Sequence, residues 1–234
     1  MSGAALDSLR GRLIVSVQAE AASPLGSPET IALLARCVVQ NGAAGVRIEG
    51  AERIRAVRGA VSVPIVGIVK RVHPGFGPYI TSTLEEVREV AAAGADIVAF
   101  DATARARAGG ATVPDLVAAI ATLGLLAMAD CATPAEGAAA TAAGAAVVAT
   151  TLAGYTPETA GRSLPALDLV AAFARAHPFA ICEGGIASPA DAAAAFAAGA
   201  AAIVVGTAIT NVDALTRGFA KVVPGTTAER DRRT

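Results

Sequence analysis

Ala92-Ala93-Gly94-Ala95-Asp96-Ile97-Val98 closes a helix-forming stretch and opens a β-branched run. The phrase returns as Asn41-Gly42-Ala43-Ala44-Gly45-Val46, as Ala142-Ala143-Gly144-Ala145-Ala146-Val147-Val148 and as Ala197-Ala198-Gly199-Ala200-Ala201-Ala202-Ile203-Val204. From Gly42 through Gly94 and Gly144 to Gly199 the steps are 52, 50 and 55 residues. A glycine here suits a helix C-terminus, which favours the left-handed backbone, and the run after it suits a buried parallel strand. Each step is too long for one strand–helix unit of about 30 residues and fits two.

The intervening strands can be read between the repeats. They are Leu13–Val17, Pro64–Val69, Leu125–Ala129 and Phe179–Cys182, giving eight short apolar strands in all. Helical segments are expected at Pro28–Gln40, Thr83–Ala92, Pro114–Leu123, Pro134–Ala142, Pro165–Ala176 and Pro189–Ala197. Ser27-Pro28, Thr133-Pro134 and Ser188-Pro189 each pair an N-cap with proline at the first helical position. Strict alternation predicts a parallel sheet, and eight units in 234 residues predict a single-domain (β/α)8 TIM barrel over residues 1–224. A doubly wound open sheet is the alternative, less natural for four regular double units. The polar residues 225–234 are expected to form a frayed tail.

Composition agrees with one large buried core. The chain is 54% hydrophobic and only 17% charged, which excludes disorder. A net charge of −1 argues against nucleic acid as a partner, so any phosphate must be held by local geometry. Cys37, Cys131 and Cys182 show neither a disulfide framework nor metal-ligand spacing. No signal-peptide core or membrane span is read, and the chain is expected in the cytoplasm. His73 and His177 stand far apart, so no metal is expected; His73 reads as a loop-surface residue and His177 as structural.

Active sites of such barrels lie at the C-terminal strand ends. In order, those ends read Gln18, Arg47, Lys70, Asp101, Asp130, Thr150, Glu183 and Gly206. Lys70 shares a strand face with Val66 and Ile68; if that face points inward, desolvation lowers its pKa into the acid/base range. An apolar setting would raise Glu183 in the same way. The third and seventh strands oppose each other, so these two groups could reach a small substrate from opposite faces. Gly184-Gly185 and Gly206-Thr207, after strands seven and eight, form turns whose amides can approach an anion. Thr150–Thr156, carrying Tyr155, suits a loop that covers substrate.

Together, Ser16-Val17-Gln18-Ala19, Gly45-Val46-Arg47, Gly67-Ile68-Val69-Lys70-Arg71, Tyr79-Ile80-Thr81, Asp101-Ala102-Thr103, Ala129-Asp130, Thr150-Thr151-Leu152-Ala153-Gly154-Tyr155-Thr156 and Glu183-Gly184-Gly185-Ile186 give a chain that resembles the N-acetylmannosamine-6-phosphate 2-epimerase family, from about Leu13 to Ile209. The resemblance implies a sugar-phosphate substrate in sialic acid catabolism, inverted at C2 without a metal or redox cofactor. It implies Lys70 and Glu183 as the catalytic pair and Gln18, Arg47, Asp130 and Tyr155 around the substrate. The amides of Gly184, Gly185, Gly206 and Thr207 would hold the phosphate. It also implies a homodimer, with the last helix, around Asn211–Val222, as the contact. The chain departs from the family at Asn211, where arginine is usual, and Arg217 is the nearby cation in sequence. Another sugar-phosphate isomerase or lyase, or a non-catalytic sugar-phosphate sensor, is the alternative function.

Overall fold

The computed structural model describes residues 2–224. The expected polar tail, residues 225–234, lies outside the described residues. Eight parallel strands close into a barrel in sequence order. They are β1 (Leu13–Val17), β2 (Gly45–Glu49), β3 (Ile65–Ile68), β4 (Ile97–Asp101), β5 (Leu126–Asp130), β6 (Val147–Ala149), β7 (Ala180–Glu183) and β8 (Ala202–Val205). The helices are α1 (Ser2–Leu9), α2 (Pro28–Gln40), α3 (Ala51–Arg58), α4 (Leu84–Ala92), α5 (Val113–Thr122), α6 (Pro134–Ala142), α7 (Leu167–Ala176), α8 (Pro189–Ala197), α9 (Thr207–Thr210) and α10 (Val212–Ala220). The (β/α)8 barrel expected from the repeat is therefore the architecture observed.

Local chemistry sets the helix boundaries. Ser27, Thr133 and Ser188 each accept the N–H three residues on, with proline just inside the helix. Thr83, Thr112 and Thr133 form reciprocal capping boxes with Glu86, Asp115 and Glu136. Gly42, Gly94, Gly144 and Gly199, the repeat glycines, all take φ between 93° and 105°. Only glycine enters that region without a Cβ penalty, so the repeat marks four helix ends. Three expected helices shift and one, α3, is unannounced: α4 starts at Leu84 with Thr83 as its cap, and α5 runs Val113–Thr122. α7 starts at Leu167 rather than Pro165, because Ala166 takes the capping position; α3, between the first repeat and β3, had no proline or N-cap pair to announce it, and Gly50 caps it without a side chain.

Alternation along each strand sorts the core into two layers. Ile14, Val66, Ile68, Ile97, Ala99, Met128, Val147, Ala149, Ile181, Ala202 and Val204 fill the barrel with Phe179, and Leu9 of α1 packs among them. The opposite faces, including Val15, Val46, Ile48, Val98, Ala129 and Val148, meet the helices. At Gly67, on the outward face of β3, an added Cβ would lie 2.5 Å from Val90 Cγ1 and 2.8 Å from Ala95 Cβ. Helix α4 sits on bare backbone there. Gly67→Ala should therefore destabilise by about 1–3 kcal/mol through overpacking and lower the melting temperature by several degrees. An unchanged thermal melt, followed by circular dichroism, would contradict this close approach.

Candidate active site

Inward alternation carries polar side chains to the C-terminal mouth of the barrel, around a cavity of about 660 Å³. β1 contributes Ser16 and leads to Gln18; β2 contributes Arg47, and β3 leads to Lys70. Tyr79 and Ile80 return beside Lys70. Thr151, Leu152 and Tyr155 follow β6, Glu183, Gly184 and Gly185 come from β7 and its turn, and Gly206, Thr207 and Asn211 follow β8. No lining residue comes from β4 or β5. At the end of β4, Asp101 is fully buried under Arg105, whose Nη2 is 2.8 Å from Asp101 Oδ2, and beside the Arg107 guanidinium, which donates to the Asp101 and Thr103 carbonyls at 2.6 Å.

Arg47 is the central group. Its place corrects the sequence expectation: β2 runs on to Glu49, so Arg47 is in mid-strand rather than at its end. Its side chain is 1% exposed and makes a two-pronged contact with Asp130, at 3.1 and 2.6 Å. Nη1 also reaches Glu183 Oε2 at 2.7 Å. Burial by itself would push the guanidinium down, but Asp130 and Glu183 outweigh it and hold the pKa up. Nε finds no partner among the described residues. Asp130 is fully buried behind Arg47 and does not line the cavity, so it acts on the site through Arg47 and Thr151.

Glu183 shares that guanidinium. Burial, with the Asp130 charge nearby, pushes its carboxyl up to about 7 against the pull of Arg47. The Thr151 hydroxyl lies 3.0 Å from Glu183 Oε2 and 2.7 Å from Asp130 Oδ1. Oε2 is thus engaged by Arg47 and Thr151, which makes Oε1 the oxygen suited to carry a transferable proton. Thr150, expected from sequence at the strand end, faces the other way. Its Oγ1 accepts from Glu183 N at 3.1 Å and donates to Glu183 O at 2.9 Å, fixing that backbone. Alternation counted from Val147 and Ala149 points to Thr151, one residue beyond the strand end expected from sequence.

Lys70 stands on the face of Val66 and Ile68, which points inward as expected. Its Nζ donates to Gln18 Oε1 at 2.6 Å. The side chain is reached by solvent from the cavity, yet the surrounding barrel wall desolvates it. That partial burial, followed by the Arg47 charge, lowers its pKa. β3 and β7 are four positions apart in a ring of eight, so Lys70 and Glu183 approach the cavity from opposite walls.

The two glycine turns also reach the cavity. Gly184 and Gly185 take φ of 103° and 76°, and a Cβ at Gly185 would sit 2.3 Å from Leu164 Cβ. Asn211 lines the same end and caps α10, its Oδ1 accepting from Ala214 N at 2.9 Å. Arg217 of α10 binds Glu20, another lining residue, through two contacts of 2.5 and 3.0 Å. Tyr155, 60% exposed, stands at the rim. Tyr79 and Ser16 line the cavity although their residue types alone did not single them out. His73 instead pairs with Glu86, 2.9 Å away. His177 is buried at the far end: Nδ1 accepts from Phe179 N, so Nε2 carries the proton and donates to Ala145 O. Among the described residues, no group of three or more His, Cys, Asp or Glu gathers as a metal site, and no helix is long and apolar enough to cross a membrane.

A family model described as "Putative N-acetylmannosamine-6-phosphate epimerase" matches residues 31–224. A Synechococcus elongatus protein named "Putative N-acetylmannosamine-6-phosphate 2-epimerase" is 47% identical over 209 residues, covering 88% of this chain and 90% of its own. A protein of the same name from Escherichia coli O9:H4 is 46% identical over 204 residues, 87% of each chain. The solved structure of the N-acetylmannosamine-6-phosphate 2-epimerase from Clostridium perfringens superposes with a TM-score of 0.90 at 37% identity, covering 93% of this chain and 96% of that one.

Glu183 links this geometry to stability. Between pH 4.5, the ordinary carboxyl value, and about 7, the folded state holds a proton that the unfolded state releases. Folding stability should therefore fall as pH rises through that window, at a rate of at most about 1.4 kcal/mol per pH unit. Denaturant unfolding at several pH values should show this slope in the wild type and a flatter one in Glu183→Gln. Identical slopes in the two proteins would remove Glu183 as its source.

Proposed function

This chain belongs to the N-acetylmannosamine-6-phosphate 2-epimerase family, and from that premise we propose that it inverts C2 of N-acetylmannosamine 6-phosphate to give N-acetylglucosamine 6-phosphate, a step of sialic acid catabolism. The observation that carries the reading is one cavity with an amine and a carboxyl on opposite walls, both shifted by burial toward neutral pH.

In the open-chain sugar the C1 carbonyl acidifies the C2 proton and accepts the electrons, so the chemistry needs no cofactor. Lys70, as the free amine, takes the C2 proton. The C–H electron pair becomes the C1–C2 double bond, and the carbonyl π pair moves onto the C1 oxygen. Glu183 then protonates C2 from the other face through Oε1 while the C1 carbonyl re-forms. The reverse reaction exchanges the two roles. Gln18 steers the amine without adding charge, and Arg47 keeps Glu183 in place. The amides of Gly184, Gly185, Gly206 and Thr207 form the phosphate seat, with Asn211 at the same end capping α10 through Oδ1 and leaning on the Glu20 carboxylate. Arg217 neutralises Glu20 at that end and holds its carboxyl below the ordinary range. Tyr155 covers the sugar from the rim.

Incubation in D2O with either epimer tests the reading. The wild type should incorporate deuterium at C2 and produce the other epimer. Lys70→Ala should lose inversion in both directions, and exchange of the manno epimer, by at least 10³-fold, on the scale of a missing general base. Glu183→Gln should still exchange the manno epimer while inverting at least tenfold more slowly. Absence of exchange in the wild type overturns the epimerase reading, and turnover by Lys70→Ala removes the amine from the mechanism. Equal losses of exchange and inversion in Glu183→Gln would move that residue to ring opening.

A cytoplasmic homodimer belongs to the same reading. The three unpaired cysteines suit a reducing compartment. α10 leaves Phe219 75% and Val222, just beyond it, 78% exposed, an apolar face suited to a second copy. Sedimentation equilibrium should give twice the 23.0 kDa chain mass, and Phe219→Asp should shift the mass toward the monomer. A 23.0 kDa species at micromolar wild-type protein would exclude the dimer.

A further inference from the structure

β3 pairs with β4 only at Val66↔Ile97 and Gly67↔Val98. Beyond that point the strands part, and residues 79–81 fill the gap. Lys70 and Ile80 form an antiparallel bridge. Arg71 N donates to Tyr79 O at 2.9 Å and Thr81 N to Val69 O at 2.8 Å, so the peptides on both sides of Lys70 are held. On the other side Asp101 N donates to Ile80 O at 2.9 Å, which ties the insert to β4. On this side the backbone that carries Lys70 is thus aligned by the returning segment in place of β4.

Thr81 sits at the hinge of that insert. It is fully buried, and its φ of 40° makes it the one non-glycine residue with positive φ among the described residues. A β-branched residue is disfavoured there, and such a conformation persists where the surroundings over-determine it. Fourteen glycines among the described residues take positive φ. At 81 the chain uses threonine instead, and its hydroxyl is engaged with the strand beside it, Oγ1 accepting from Val69 N at 3.1 Å. Both backbone polar groups of Val69, the residue before Lys70, are therefore bound to Thr81. Glycine would relieve the conformation but leave a buried N–H without its acceptor.

We propose that Thr81 is a positioning residue that aims Lys70 into the cavity by gripping Val69 through its hydroxyl and its amide. The inference rests on the reading of Lys70 as the base at C2. It parallels the Thr150 hydroxyl, which holds the Glu183 backbone in the same manner. One buried threonine thus fixes the main chain at each of the two reacting side chains.

The test compares Thr81→Gly, Thr81→Ala and Thr81→Ser with the wild type and Lys70→Ala. The readouts are kcat, KM, the pH dependence of kcat and the thermal melt. Thr81→Gly and Thr81→Ala should lower kcat at least tenfold with KM changed less than twofold. Their Lys70-dependent pH limb should move up by about half a unit or more, as the misaimed amine returns toward water. Thr81→Ser, which keeps the hydroxyl, should retain at least a third of wild-type kcat and the original limb. The inference is overturned if Thr81→Gly or Thr81→Ala, whichever folds, keeps kcat within twofold. It is equally overturned if kcat falls with no shift of the limb, or if serine is as slow as alanine. A wild type without turnover, or an active Lys70→Ala, refutes the underlying epimerase reading instead.

Discussion

A guanidinium enclosed in the mouth of a barrel cannot stand alone. Arg47 is almost completely removed from water, as is Asp130, and Glu183 retains only 12% exposure. An isolated charge so placed would cost several kcal/mol, so the three groups exist only as a set. Two carboxylates against one guanidinium leave an excess of negative charge. The carboxyl best able to relieve it is Glu183, the one of the two that lines the cavity; burial first, and the Asp130 charge after it, hold its proton up to about 7. The arrangement joins β2, β5 and β7 and at the same time supplies a carboxyl of the kind acid/base chemistry near neutral pH requires.

The rest of the mouth is organised around that triad. Asp101 and Asp130 are direct register partners on β4 and β5, and like charges placed so closely repel. They are kept together because each has its own cation, Arg105 for one and Arg47 for the other. The Arg105 and Arg107 cover closes the β4 side and leaves the cavity to the other strands. The amine of Lys70 pairs with a neutral amide rather than a carboxylate and faces the cavity opposite Glu183, the placement the proposed proton transfer uses.

Much of this was legible in the residues. The glycine repeat marked four helix ends by a backbone requirement that only glycine meets cheaply, and the Ser/Thr-Pro pairs marked helix starts within a residue. Polar types at the ends of apolar strands located the mouth. Two of the misplacements share one physical origin. Strand ends blur by a residue or two, and in a period-two element one residue is the difference between the cavity and the helix layer. Thr150 and Thr151 exchanged roles for that reason, and Arg47 was placed at an end it does not occupy. Asp130, which the resemblance implies around the substrate, stands behind the Arg47 guanidinium, a long-range partner its residue type does not signal.

By itself the sequence determined the closed alternation of strands and helices, the face on which Lys70 lies, and the family whose motifs it carries, because local periodicity and capping depend on neighbours along the chain. The tertiary structure alone decided that Arg47 binds residues 83 and 136 positions away, that Asp130 stands behind it, and that the segment at Thr81 wedges between β3 and β4. Those contacts are made between strands brought together only when the barrel closes. Their energies depend on burial, which no single stretch of sequence contains.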